Sequence, residues 1–260
     1  MALIGEVIHI REHEALVQVY ESTDSLRPGE PVVGLGHPLS VELGPGLLGQ
    51  IFDGVQRPLN KIMQQGGVSI ARGLQVDALD RAQKWHFVPT EQLVVGERLK
   101  GGEILGTVQE TETILHRILV PPDIKGFIIE HAAEGDYTIE EVIVHIKLDD
   151  GSVKPLKMYH RWPVRTPRPY LSRANSGEPL ITGQRILDTF FPLLKGGKAA
   201  VPGPFGAGKT MVQQQIARWA NADIVLYVGC GERGNEMVDI LQSFPKLKDP
   251  RSGRSLMERT

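Results

Sequence analysis

The sequence predicts a multidomain β plus α/β fold, in which β-rich segments come first and an α/β segment follows. Near the N-terminus, the β-like runs GEVIHI (5–10) and ALVQVY (15–20) flank a short charged stretch. The run 142–148 alternates apolar and polar residues, as a half-buried strand does. From residue 198 onward the pattern is strand, loop, helix and strand, with an apolar helix stripe at Val212, Ile216, Trp219 and Ala220. This order predicts a βαβ unit and a parallel sheet.

Composition is that of an ordinary folded protein. The chain has 260 residues, 41% hydrophobic and 23% charged, and a formal net charge of −2. The near-neutral charge excludes a broad cationic face for nucleic acid. No apolar run approaches the ~20 residues of a membrane-spanning helix, and the first residues are acidic where a secretory signal is basic. A single cysteine, Cys230, excludes an internal disulfide and any CxxC motif.

One segment carries a specific chemical signal. Residues 203–210 read GPFGAGKT, which matches the phosphate-binding loop GxxxxGK(S/T) between a predicted strand and a predicted helix. Gly206 and Gly208 let backbone N–H groups turn inward, and the helix N-terminus adds partial positive charge. Lys209 supplies a full charge to the β and γ phosphates, and the Thr210 hydroxyl ligates Mg²⁺. The loop predicted to bind phosphates also includes Gly203, Pro204, Phe205 and Ala207. A plain glycine turn is the alternative, but it has no need of Lys and Thr together.

A second polar segment follows the next apolar run. The strand predicted over DIVLYVG (223–229) leads into GCGERGNE (229–236), and in a parallel sheet that end lies on the ligand side. There Glu232 is positioned to polarise an attacking water, and Arg233 to neutralise charge on a transferring phosphoryl group. From spacing alone, a solvated loop pair is an equally good interpretation. Glu236 is predicted to be an acid in the first turn of a helix.

Three other patterns are interpreted as structural. The GxGxxG match at 44–49 precedes a predicted strand and not a helix, so we expect a turn. His9 and His13 have zinc-like spacing but fall across a predicted hairpin. One short run combines basic and aromatic side chains, and we expect a solvated or interface surface there and no nucleic-acid site. Its members are His160, Arg161, Trp162, Arg165, Arg168 and Tyr170.

At GPFGAGKT (203–210) and YVGCGERGNEM (227–237) the sequence resembles the catalytic A subunit of the A-type and V-type rotary ATPases. The opening GEVIHI and the segments 179–210 and 234–250 are also similar to that family, so the resemblance covers essentially the whole chain. The β-rich stretch at about 111–179 fits the bulge inserted into the A subunit. Export-type hexameric ATPases lack that insertion.

The resemblance implies ATP hydrolysis or synthesis coupled to H⁺ or Na⁺ transport, with ATP or ADP and Mg²⁺ as ligands. It implies Glu232 acting on the attacking water and Arg233 near the γ-phosphate. It further implies B subunits alternating in a hexameric ring, stalk subunits, a membrane rotor, and a location on the cytoplasmic face of a membrane. Ala207 occupies a position where many members have Ser or Cys, which we expect to leave phosphate binding intact.

Family members continue well beyond the equivalent of Thr260, and an apolar strand ending in Asp is not found after Thr210. Asp149 ends such a run, but it precedes the phosphate loop and its strand alternates with polar residues. We therefore keep a second hypothesis, a truncated nucleotide-binding or ring-interface module without turnover. A third hypothesis is an export-type or RNA-translocating hexameric ATPase, and the insertion argues against it.

The predicted domain organisation has four parts. Residues 1–69 form an N-terminal β-barrel, with further strands expected at PVVGLG (31–36) and LLGQIFDG (47–54). Residues 70–110 begin the nucleotide-binding domain and residues 111–179 form the inserted bulge. Residues 180–260 form a truncated α/β domain with the phosphate-binding loop.

Overall fold

The computed structural model describes residues 2–66, 71–170, 172 and 177–260. The chain forms two compact units. The β unit comprises Met1–Glu110 and Leu115–Pro169, and the α/β unit comprises Thr111–Ile114 and Tyr170–Thr260. The predicted boundary between residues 69 and 70 lies outside the described residues. Within the described ranges, no helix has both the length and the apolar character needed to cross a bilayer.

Short antiparallel strands make up most of the β unit, together with one helix, α1 (Leu59–Gly66). The strands are β1 (Gly5–Arg11), β2 (Glu14–Val19), β3 (Ser40–Leu43), β4 (Lys84–Pro89), β5 (Arg98–Lys100), β6 (Ile104–Gln109), β7 (Leu115–Leu119), β8 (Lys125–His131), β9 (Gly135–Thr138), β10 (Val142–Leu148), β11 (Val153–Lys157) and β12 (His160–Pro163).

The N-terminal hairpin is confirmed, but two further strands predicted near it are wrong. β1 pairs antiparallel with β2, and Arg11 faces Glu14 across the turn. Residues 31–36 form no strand, and Val32 and Val33 are 88% and 80% exposed. Residues 47–54 contain turns and a single bridge between Phe52 and Pro58. Apolar runs rich in Gly and Pro do not form strands without a neighbouring ladder to satisfy their backbone groups.

Two four-stranded sheets, with strand orders β11-β10-β8-β5 and β7-β6-β4-β9, form the centre of the β unit. They share one apolar core, in which Phe87, Leu105 and Ile146 are fully buried. Strands β4, β5 and β6 come from the segment predicted to begin the nucleotide-binding domain. They pair with β9, β8 and β7, respectively, which belong to the β-rich segment that follows. Burial of continuous apolar faces from both sheets supplies most of the stabilisation available to this unit.

The alternation predicted in β10 is interrupted. Val144 and Ile146 are buried as expected, but Ile143 is also buried and Val142 is 36% exposed. The pairing register shifts between Val142 and Val144, which marks a bulge. Because a bulge changes which face successive side chains occupy, two consecutive residues enter the core here.

The GxGxxG segment 44–49 forms turns, as predicted, and wraps a buried carboxylate. One oxygen of Glu110 accepts hydrogen bonds from the amides of Gly46 and Leu48, at 2.7 and 3.1 Å. The other accepts from Nδ1 of His116 at 2.6 Å. Burial of Glu110 opposes its ionisation, but the His116 contact and the two amides outweigh that effect, so its pKa lies below the usual value.

Most cations of the basic aromatic run have partners within the β unit. Arg165 binds Glu6 through two nitrogens at 2.7 and 2.8 Å, and Arg161 contacts Glu42 at 3.3 Å. Arg168 lies over the Trp162 ring, 4.9 Å from its centroid, and is 2.9 Å from Nε2 of His160. These contacts favour the predicted structural interpretation of the run.

The α/β unit begins with a two-stranded pairing of β13 (Pro179–Leu180) with β14 (Leu193–Leu194). Its helices are α2 (Arg185–Phe190), α3 (Lys209–Trp219) and α4 (Gly234–Ser243), followed by 3₁₀ turns at Phe244–Lys246 and Leu256–Arg259. Helix α3 confirms the predicted helix but ends at Trp219. Ala217 in the helix and Ala220 at its C-cap are buried, while Trp219 is 42% exposed, so the predicted stripe is only partly correct.

The two strands predicted to flank α3 are not formed in the described residues. Residues 198–203 and 223–229 have no ladder. Val225 donates one backbone hydrogen bond to Arg259, at 2.7 Å, and packs with Tyr227 against the core of Ala217, Ile240 and Phe244. The alternate residues Leu226 and Val228 are 87% and 69% exposed. The segment thus has the side-chain alternation of a strand without the paired neighbours that define one.

Glycine at position 106 is expected to be essential to the β unit. An added Cβ would lie 2.4 Å from the Phe87 ring and 2.5 Å from the Val88 carbonyl oxygen. We predict that Gly106→Ala lowers the free energy of unfolding by about 1–3 kcal/mol through overpacking. Gly54→Ala is the control, since an added Cβ there meets nothing within 4 Å. Chemical denaturation of both variants measures the difference, and equal stabilities would contradict the prediction.

The β unit is expected to become less stable as pH is lowered, because His160 then becomes protonated. Burial and the Arg168 charge lower the pKa of His160 to about 4, although Asp123 opposes the shift. A histidine whose folded pKa is below its unfolded value stabilises the protein above about pH 6.5 and loses that contribution as pH falls toward 4. We predict that His160→Gln, which cannot be protonated there, shows a smaller loss between pH 6.5 and 4. Superimposable pH–stability curves would show that His160 does not contribute.

Candidate functional site

The phosphate loop motif folds as a turn that leads directly into α3. Gly208 caps the helix with φ of +80°, and its carbonyl accepts the Val212 N–H at 3.0 Å. Gly206 has φ of +79°. Only glycine adopts this left-handed conformation without strain, which explains why the motif needs glycine at both positions. At Gly203, by contrast, an added Cβ would lie 3.0 Å from the Cβ of Ala207, so the two ends of the turn approach closely.

Lys209 is the first residue of α3, and its side chain turns back over the loop. Its Nζ donates to the Gly203 carbonyl oxygen at 2.6 Å. The ammonium group therefore lies beside the first residue of the motif, while the lysine backbone is at the N-terminal end of the helix. Helix N-terminal amides and a lysine ammonium together favour an anion at this place.

The second predicted segment caps α4. Arg233 is the N-cap residue, and its carbonyl accepts the Met237 N–H at 3.1 Å. Glu232 and Arg233 are both solvent-exposed, whereas Glu236 lies in the first turn of α4 as predicted. Burial raises the pKa of Tyr227, and the Glu232 and Glu236 carboxylates add to the rise.

The structure brings one residue of each segment into direct contact. The Arg233 guanidinium carbon lies 3.8 Å from the centroid of the Phe205 ring, inside the range of a cation–π interaction. Because Phe205 belongs to the phosphate loop, this contact joins the loop to the start of α4. The sequence indicated both residues individually but not their contact, since side-chain stacking between distant segments leaves no spacing signal.

A carboxylate that sequence analysis missed holds the turn that packs against the end of α3. The Asp188 carboxylate of α2 accepts hydrogen bonds from the Thr182 N–H and hydroxyl and from the Gly183 N–H, at 2.7 to 3.0 Å. These hydrogen bonds, chiefly from Thr182, hold the pKa of Asp188 below its usual value. An added Cβ on Gly183 would lie 2.6 Å from the Trp219 Cβ, so this turn packs tightly against the helix. A Thr-Gly pair shortly before an Asp is the pattern in the sequence that could have indicated these hydrogen bonds.

The sequence also raised two other possibilities, Asp149 as a substitute metal-associated acid and a metal site formed by histidines. Asp149 pairs with Arg98 at 2.9 Å in the β unit, which agrees with its rejection as a substitute metal-associated acid. Throughout the part of the chain that the structure describes, no group of three or more His, Cys, Asp or Glu side chains is arranged to hold a metal ion.

Chemically, the arrangement combines a turn with two left-handed glycines, a lysine ammonium, a helix N-terminus and an adjacent guanidinium. Oxygen-rich polyanions such as a polyphosphate are the ligands that this donor set matches. The Thr210 hydroxyl, in the first turn of α3, matches the single protein ligand that Mg²⁺ accepts when phosphates and water complete its shell.

Comparison with known proteins gives consistent matches in three segments. Residues 2–36 match the ATP synthase alpha/beta family beta-barrel domain, and residues 76–165 match the ATPsynthase alpha/beta subunit barrel-sandwich domain. Residues 183–260 match the nucleotide-binding domain of the same family. These matches confirm the predicted fold class of an N-terminal β-barrel, a β-rich middle part and the start of a nucleotide-binding α/β domain. The boundaries predicted at residues 69, 110 and 179 stay predictions.

Individual relatives agree over the whole chain. It is 63% identical to the V-type ATP synthase alpha chain of Nitrosococcus oceani over 260 residues, all of this chain and 44% of that one. It is 59% identical to the A subunit of the A-type ATP synthase from a Desulfurococcus species, again over all of this chain and 44% of the relative. The corresponding protein of Methanopyrus kandleri is 57% identical over 258 residues, 99% of this chain and 43% of that one. The chain thus spans less than half the length of the curated relatives it matches, and it belongs to the ATP synthase alpha/beta family, as a relative of the A-type and V-type subunits.

Proposed function

We propose that residues 203–210 bind the phosphates of ATP or ADP, and that the chain contributes this site to the catalytic subunit of a rotary ATPase or ATP synthase. The observation that carries the proposal is the position of Lys209. It is the first residue of α3, and its ammonium group lies 2.6 Å from the Gly203 carbonyl oxygen. A bound nucleotide would replace that carbonyl with phosphate oxygens, which are stronger acceptors because they are charged.

In this proposal each residue of the site has one role. The amides of Gly206 to Gly208 bind phosphate oxygens, and Lys209 contacts the β and γ phosphates. Thr210 would hold Mg²⁺, which supplies charge neutralisation at the phosphates when it is bound. Glu232 orients the attacking water, and Arg233 stabilises the negative charge that develops on the γ-phosphoryl oxygens.

The proposed assembly follows the family resemblance. B subunits alternate with this protein in a hexameric ring, and stalk subunits connect the ring to a membrane rotor that carries H⁺ or Na⁺. The protein then lies at the cytoplasmic face of a membrane. The names and identities of the relatives support this proposal.

A nucleotide-binding module without turnover is the second candidate function. The observation that favours it is the solvent exposure of Glu232 and Arg233, the two residues proposed to act in turnover. A third candidate, an export-type hexameric ATPase, predicts stimulation by unfolded protein or RNA. The match of residues 76–165 to the barrel-sandwich domain argues against that candidate.

Substitution of Lys209 tests phosphate binding. We predict that Lys209→Ala weakens Mg-ATP binding about 10- to 100-fold, the loss expected for hydrogen bonds to a charged group. Lys198→Ala, which removes an exposed lysine of the same unit outside the motif, is the matched control. Isothermal titration calorimetry measures both, and equal affinities would refute phosphate binding by Lys209.

A measurement of ATP hydrolysis by the unchanged chain and by Lys209→Ala distinguishes the catalytic subunit from the module without turnover. Turnover in the unchanged chain that is lost in Lys209→Ala supports the enzyme. Nucleotide binding with no turnover in either protein supports the module.

A further inference from the structure

We propose that Phe205 is a positioning residue for Arg233, and that its ring orients the guanidinium toward the terminal phosphate of a bound triphosphate. This inference rests on the proposed function, because it assigns a role within the same site. The contact that carries it is the 3.8 Å approach of the Arg233 guanidinium carbon to the Phe205 ring centroid.

Both ends of the contact belong to hydrogen-bonded backbone segments. The Phe205 backbone lies within a turn in which the Ala207 N–H donates to the Pro204 carbonyl at 3.3 Å. Arg233 begins α4, and that helix is anchored in the apolar core by Ile240, which is 4% exposed. Rotation of the arginine side chain is therefore the simplest way in which the guanidinium can change its position.

The Phe205 ring has no place in the core, since it is 74% exposed. An exposed phenylalanine gains little from burial, so its contact with a cation is the main interaction that the structure gives it. The electron-rich face of an aromatic ring is what attracts a guanidinium, and an aliphatic side chain of similar size lacks it.

Stacking leaves the guanidinium able to bind a phosphate. Its five N–H donors lie in the plane of the group, so a ring on one face does not occupy them. An arginine already ordered on the ring loses less side-chain freedom when a ligand binds. The ring should therefore increase affinity for the ligand that Arg233 touches. In the proposed site Arg233 contacts the γ-phosphate, which a triphosphate has and a diphosphate lacks.

The test compares nucleotide affinities of Phe205 variants in the complete 260-residue chain. The probes are a non-hydrolysable ATP analogue and ADP, each with Mg²⁺, titrated by calorimetry. We expect Phe205→Leu to weaken binding of the ATP analogue about two- to five-fold more than it weakens binding of ADP, as for an exposed cation–π contact to Arg233. Phe205→Trp, which keeps an aromatic face, should retain the original affinity. Phe190→Leu is the matched control, because Phe190 is also 74% exposed and lies in the same unit.

A double-substitution cycle distinguishes positioning from a direct effect of the ring. In an Arg233→Ala background, Phe205→Leu should cause no further loss of affinity for the ATP analogue. The same loss in both backgrounds, or an equal loss for the analogue and ADP, overturns the proposal even though nucleotide binding stands. Failure of the unchanged chain to bind either nucleotide overturns the proposed function, and this inference with it.

Discussion

The left-handed backbone at Gly206 and Gly208 is the constraint on which the candidate site depends. A side chain at either position would strain the turn, although the space around each is open. The turn sets where α3 begins, and its first residue is Lys209. One backbone conformation thus brings together the helix N-terminus and the ammonium group, the two positive features of the loop. In the structure the ammonium is paired with the Gly203 carbonyl, a neutral acceptor that an anion can replace.

Residues before and after the loop in the chain support the loop and α3. Asp188 fixes the Thr182 turn against the end of α3, and Arg233 connects the start of α4 to Phe205. Helices α3 and α4 share a small core that includes Ala217 and Ile240. Phe205, Glu232 and Arg233 are exposed and Lys209 is only half-buried, so the positions of these residues depend on the packing beneath them more than on their own burial.

In the β unit, unlike at the candidate site, charged side chains are buried, and each is stabilised by several partners. Glu42 is 8% exposed, accepts both Arg81 contacts at 2.6 Å and also faces Arg161. Arg57 binds Glu21 and Asp53, each at 2.7 Å. A buried charge without such partners would be strongly destabilising, so these networks restrict which loop conformations are compatible with the core. Local residue spacing does not indicate these pairs, whose members lie up to 119 residues apart.

By itself, the sequence determined the phosphate loop, the hairpin of β1 and β2, helix α3 and the resemblance to rotary ATPase subunits. Each depends on neighbouring residues, through glycine spacing, turn chemistry or helical periodicity, and such local patterns can be recognised without a structure. Only the tertiary structure decided that β10 has a bulge, that 198–203 and 223–229 form no ladder, and that Phe205 stacks on Arg233. Strand pairing and side-chain stacking join segments that are distant in the chain. Their free energy therefore depends on neighbours that no local pattern specifies.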